Sequence, residues 1–480
     1  MKNILIAIRS IFKKGRHNVM KIVSLGIGLA VGLVLIAKVY FEQSYDDFYP
    51  DRDRVYQVWA KYQQKGGELK DYPQTSGGIA PTMQQQIPEI ETVTRYTSFG
   101  DWTFTMTDTK MKYSGRCIIA DSCFFDILPR PMLIGNAKEV LSTPMYVLIS
   151  SRIAKNIGGD VIGKNFTVDN SPGRTMTIGG VFEEVPENSH SRYDVIVSMA
   201  SAGRFMWEGS PTNMLGNDRY ISYVKLHKGV NPLALEEQVR TFVNSYFPPE
   251  EQQKVGLSID FSFHKLDNLH KELPQVKRMT WILSLLAFAL IFTAVMNYIL
   301  IVISSIVNRS KEVAVHKCYG ASENNIHGMM FGEALVHIVL SLILALLLIL
   351  AFRGTVEELL ATSLDSLLLS NGSLVLLGIC ILVFFVSGFM PGSLYARIPV
   401  ASAFRNYREN KRIWKKALLL VQFVATGFLV TMLVFVARQY TFMVNDRPGY
   451  AYENLAYCGL AGVDSTSRAK ILDEVMRLPG

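Results

Sequence analysis

From Met279 to Val307 the chain carries no charged side chain, and the same holds for Ala334 to Phe352, Ser366 to Ala396 and Ala417 to Ala437. A helix rises about 1.5 Å per residue, so roughly 20 apolar residues cross a hydrocarbon core of about 30 Å. Four runs of this length argue against an ordinary soluble chain. A fifth, Ile22 to Ala37, is shorter and is followed by Lys38 and then Val39, Tyr40 and Phe41. A lysine at a helix end snorkels to the headgroups, and bulky side chains stand where a signal-peptide cleavage site needs small ones. This run is therefore read as a retained anchor.

The net charge of +8 is concentrated beside these runs. Lys2, Arg9, Lys13, Lys14, Arg16 and Lys21 precede the first with no acid among them. Arg397, Arg405, Arg408, Lys411, Arg412, Lys415 and Lys416 precede the last against the single acid Glu409. Such flanks are cytoplasmic under the positive-inside bias and do not mark a nucleic-acid binder. The expected topology has a cytoplasmic N-terminus at 1–19 and membrane helices at 20–41, 279–307, 329–352, 373–396 and 417–437. Cytoplasmic loops fall at 308–328 and 397–416, with extracytoplasmic segments at 42–278 and 438–480. The cysteines read as isolated thiols, a Cys117–Cys123 bridge being the alternative, and none has metal-ligand spacing.

Within 42–278, β-rich runs such as Val55 to Trp59 and Thr175 to Ile178 alternate with helical candidates, Ala80 to Gln86 and Leu233 to Tyr246. The expected fold class is thus a polytopic α-helical membrane protein with a large α+β extracytoplasmic domain between its first two spans. As one helix, Met279 to Val307 would be about 44 Å long, so it either tilts or projects past the bilayer as a lever. A repeat also shows. Lys13-Lys14, Lys38 and Tyr40 frame the first apolar run as Lys415-Lys416, Arg438 and Tyr440 frame the fifth, and an aromatic and acidic segment follows each.

The loop Asn308 to Ser322 places Val313, His316, Lys317 and Gly320 at helical intervals, with Gly320 as a helix end and Ser322 as the next N-cap. Its arginine (Arg309), glutamate three residues on (Glu312), basic residue and Gly-Ala pair resemble the cytoplasmic loop of MacB/FtsX-type permeases. Ala120 to Leu128, Gly180-Val181-Phe182 leading to Val185 through His190, Phe331-Gly332-Glu333-Ala334 and Arg397-Ile398-Pro399-Val400 are similar to further family segments, in the family's order. The resemblance implies a non-catalytic subunit moved by a separate P-loop ATPase, which Arg309, Glu312, His316, Lys317, Gly320 and Ala321 would contact. Many relatives have an arginine where this chain has His316 or Lys317. Relatives with two four-span modules lead to the expectation that a second module starts near residue 417, or that a homodimer partner takes its place.

Catalytic readings find little. Gly158, Gly163 and Lys164 imitate the spacing of a phosphate-binding loop, but Asn165 stands where a magnesium-binding hydroxyl is required. His190 and Asp194 have no nucleophile beside them, and no cofactor or metal is expected. Asn297, His337 and Gln422 read as interhelical hydrogen-bonding groups, and Pro391-Gly392 as a kink. The expected role is an inner-membrane permease subunit coupling ATP hydrolysis to outside work, such as peptide or drug export or lipoprotein release. The alternative, a receptor with an external sensor domain, would need a larger cytoplasmic output domain than these loops supply.

Overall fold

A computed structural model describes residues 17–64, 67–168, 171–369, 371–396, 399–401, 413–445 and 465–478. Two compact units emerge: Ser44–Leu273, with which the last residues are grouped, and the helices on either side of it in sequence. The basic residues Lys2 to Arg16 and Arg397 to Arg412, apart from the stretch 399–401, lie outside the described residues.

The first unit is α+β. Its strands are β1 Val55–Gln64, β2 Leu69–Tyr72, β3 Ile90–Met106, β4 Lys112–Ala120, β5 Met132–Ile134 and β6 Tyr146–Ser150. They continue with β7 Asn165–Val168, β8 Ser171–Phe182, β9 Val195–Ser198, β10 Ile221–Leu226 and β11 Leu257–Lys265. One sheet runs β11-β1-β10-β3-β4-β9-β6-β8-β5, with β2 paired to β1 and β7 bridging β3 and β8. The strand expected at Val55 to Trp59 is the start of β1, held between Val55↔Lys225 of β10 and Trp59↔Ser262 of β11. Thr175 to Ile178 lies within β8.

Helices fall where periodicity put them. Ile79–Gln86 buries Ile79, Ala80 and Met83 against Val58, Val224 and Phe242. At the other candidate, Asn231 accepts from Leu233 N and Pro232 opens a 3-10 turn that leads into the helix Glu236–Tyr246. The phosphate-loop look-alike is plain chain reversal: Gly158 ends the helix Ser151–Ile157 at φ +75, and Gly163 turns into β7 at φ +76.

Buried polar groups pin this unit at two places. Arg95 is 9% exposed, donates to the carbonyls of Gly77 and Pro211, and pairs with Asp121 at 3.2 Å. At the entry, Asp46 takes a left-handed conformation (φ +58) and accepts from Ser189 Oγ (3.0 Å) and His190 N (3.1 Å). Asp47 and Asp267 share Arg52 and Lys271 beside it, and Tyr45 stacks on His270. The segments entering and leaving the domain are thereby joined.

Among the described residues of the second unit, five helices are long and apolar enough to cross a membrane: Asn18–Gln43, Pro274–Ser304, Glu323–Ala351, Ser373–Ala396 and, within Ile413–Asn445, Leu419–Asn445. Several expected boundaries move. The second helix starts at Pro274 and stops at Ser304, so Met279 to Val307 is not one helix. Ser305 Oγ donates to Val302 O (2.6 Å), and Tyr395 Oη also reaches that carbonyl (3.1 Å), so hydroxyls crowd the turn where the helix would continue. The third begins at Glu323 rather than 329, because Ser322 caps it by accepting from Asn325 N. The apolar run from Ser366 divides into the short helix Leu364–Leu368 and the fourth long helix, which starts at Ser373.

Two lysines depart from expectation. Lys38 does not snorkel: it is 7% exposed, bonds Thr362 Oγ1 at 2.7 Å and pairs with Glu42 one turn on at 2.7 Å. Lys21, counted as a basic flank, is fully buried against Glu333. His337 makes an interhelical contact of the kind expected, with Nδ1 3.1 Å from Tyr298 Oη, whereas Gln422 Nε2 finds no partner among the described residues. Small residues let the helices approach. A Cβ on Gly28 would lie 2.2 Å from Ala294 Cβ, and one on Gly392 2.6 Å from His327 Nδ1. Pro391 and Gly392 thus sit in a packed seam of the fourth helix. Cys117, Cys123, Cys318 and Cys380 are free thiols.

Candidate functional site

Between the second and third long helices stands a separate short helix, Ile306–Cys318. Ser310, Val313 and Ala314 are buried, and Lys317, one turn further on, is half-buried. This i, i+3, i+4, i+7 spacing gives the helix one inward stripe. Val313 and Ala314 join the core that contains Val302, Ile303, Tyr395 and Ala396.

Polar contacts lock the same stripe. Lys317 Nζ donates to Ala396 O at 2.7 Å, setting an ammonium on the C-terminal carbonyls of the fourth helix, where the helix dipole favours a cation. Tyr395 is fully buried and its Oη lies 3.1 Å from Ser305 Oγ, tying the fourth helix to the break before the short one. Gly320 turns the chain at φ +85, a conformation that side-chain-bearing residues rarely adopt. Ala321 N then closes back on His316 O at 3.0 Å. The result is a stiff elbow held against the ends of two long helices.

The six residues expected to form the site divide between its two faces. Lys317, Ala321 and Glu312 are half-buried, and His316 and Gly320 are exposed. Arg309 lies in the helix, and its side chain is outside the described residues. The outward face also carries Lys311, Val315 and Tyr319, the last 89% exposed. Val315 and Tyr319 were missed by sequence reasoning. Their signal was an apolar pair one turn apart and out of phase with the Ser310–Val313–Ala314–Lys317 stripe.

His190 and Asp194 are not brought together: the His190 backbone serves Asp46, and burial pushes its imidazole pKa down. Asp194 pairs instead with Arg152 at 2.6 Å, in a polar cavity of about 300 Å³. Among the described residues no three His, Cys, Asp or Glu side chains gather as a metal site.

Comparison with known proteins gives two family matches. Residues 20–242 match the MacB-like periplasmic core domain, and residues 284–400 the FtsX-like permease C-terminal domain. No curated protein matches the chain. Among solved structures, it is similar to a domain of a protein from Porphyromonas gingivalis described as a permease. That match has 33% identity and TM-score 0.42, and covers 45% of this chain and 91% of the other. The periplasmic region of MacB from Actinobacillus actinomycetemcomitans matches at 15% identity and TM-score 0.29, covering 43% and 87%. The extracellular domain of the noncanonic ABC-type transporter YknZ from Gram-positive bacteria matches at 12% and 0.30, covering 44% and 98%. With the two family domains following one another along one sequence, the chain belongs to the MacB/FtsX-type permeases of ATP-binding-cassette systems.

Proposed function

We propose that this permease subunit couples ATP hydrolysis by a separate P-loop ATPase to mechanical work by its extracytoplasmic domain. In this reading the chain crosses the inner membrane five times from a cytoplasmic N-terminus. The domain between the first two long helices lies outside, and the elbow and the basic loop 397–416 lie inside. The ATPase grips the outward face of the elbow through Lys311, Val315, His316 and Tyr319, with Arg309 and Glu312 at its margin. A second permease module or a second copy of the chain completes the assembly. The work is export of a peptide or drug, or release of a lipoprotein from the membrane.

One observation carries the reading: the elbow is welded by its inner face to two long helices while the Tyr319 ring and the basic groups of Lys311 and His316 are exposed on its outer face. A buried aromatic anchor is the residue type that dominates protein interfaces, and Tyr319 is fully available to become one. The test is co-purification. A P-loop ATPase is expected to accompany the wild-type chain and to be lost on Glu312→Arg or Tyr319→Asp. Absence of any ATPase from intact wild-type preparations, or its undiminished recovery with both variants, contradicts the proposal.

A further inference from the structure

Glu333, His337 and Ser341 follow one another at four-residue intervals on the third long helix, and all three are at most 5% exposed. Such spacing places them on one face. Each meets a polar partner on a neighbouring helix. Glu333 Oε1 lies 3.5 Å from Lys21 Nζ, His337 Nδ1 lies 3.1 Å from Tyr298 Oη, and Ser341 Oγ donates to Ile22 O at 3.1 Å. Lys21 also bonds Asn18 Oδ1 at 3.2 Å. The first helix is therefore held to the third by an ion pair and a hydrogen bond that lie on adjacent residues of the first helix, Lys21 and Ile22, and two turns apart on the third. Just beyond them the backbones approach closely, since a Cβ on Gly26 would lie 3.2 Å from Ser341 O.

A buried ion pair is weak evidence of stability, because desolvating both charges offsets their attraction, and apolar replacements of similar volume are often as stable. What a buried pair does specify is register, since any slide along the helix axes leaves two charges without partners. This pair has a telling position. Glu333 sits ten residues after Glu323, about 15 Å along the helix from the elbow. Lys21 belongs to the helix whose last residue, Gln43, is followed directly by Ser44 of the soluble domain.

We propose that Lys21 and Glu333 are positioning residues that make the first and third helices one rigid body, so that displacement of the elbow reaches the helix leading to the extracytoplasmic domain. This inference rests on the coupling role proposed above, but its first measurement does not require the ATPase. Nitroxides placed by Val31→Cys and Leu346→Cys in an otherwise cysteine-free chain, in lipid nanodiscs, report the distance between the two helices. The parent chain is expected to give one narrow distribution. Glu333→Gln is expected to broaden it at least twofold, and the reversal Lys21→Glu with Glu333→Lys to narrow it again. Lys21→Met with Glu333→Met is expected to fold as well as the parent and still to broaden it. A double-methionine chain that folds and stays as narrow as the parent overturns the proposal. With the ATPase bound, ATP is expected to change amide exchange at 44–49 in the parent and to lose that effect in the double-methionine chain, at hydrolysis rates within twofold. If no ATPase binds the parent, the coupling role fails, while the distance measurement still decides the register claim.

Discussion

Burial raises the pKa of the Asp46 carboxyl from 3.8 to about 6, although Ser189 and His190 both donate to it. The folded domain then binds a proton more tightly than the unfolded chain. This contribution to stability is complete below about pH 4 and lost as pH rises through 6. Two pH units at about 1.4 kcal/mol each amount to about 3 kcal/mol. Burial lowers the pKa of His190, which acts in the opposite sense, so the comparison of parent and variant isolates the carboxyl. Asp46→Asn keeps an acceptor oxygen and tolerates the left-handed backbone. It is expected to remove most of that loss, read as urea unfolding of the domain in detergent-solubilised protein from about pH 4 to 7. An unchanged pH dependence contradicts the assignment. Arg95 gives a second expectation. Arg95→Met removes the guanidinium from the Asp121 carboxylate, leaving it only the backbone N–H of residue 95, and takes the donor from two carbonyls, at a cost of about 3–5 kcal/mol in the same assay.

Among the elements, charge-free runs were readable because the bilayer demands a fixed length of apolar helix, and the strand and helix periods of the domain were readable for similar reasons. What could not be read were partners far away in sequence. Lys21 and Lys38 look like interfacial lysines until Glu333 and Thr362, more than three hundred residues on, are seen beside them. The break at Ser305 was hidden because its apolar neighbours continue the run while Tyr395 caps the turn from another helix. The elbow was legible as a helix, through Gly320 and Ser322, but its outward face was not, because the inward stripe is set by tertiary packing. Close helix approach supplies a sharp expectation. Gly28→Ala puts a methyl 2.2 Å from Ala294 Cβ and is expected to destabilise the bundle by about 1–3 kcal/mol, seen as a lower melting temperature in detergent. Adding Ala294→Gly is expected to restore it. No rescue would mean that the contact does not govern the pairing of these helices.

For the whole molecule, an α+β domain and apolar helices share one chain, and its two family domains make it a multi-pass inner-membrane permease. Coupling from a cytoplasmic ATPase requires the elbow to face the cytoplasm, and the elbow carries its own reporter. Cys318 is exposed, Cys117 is buried, and Cys123 and Cys380 are partly buried. In a chain whose other cysteines are replaced, Cys318 is expected to resist a membrane-impermeant maleimide in spheroplasts and to react once the inner membrane is opened. Labelling of Cys318 in sealed spheroplasts would put the elbow on the outer side and contradict the coupling account.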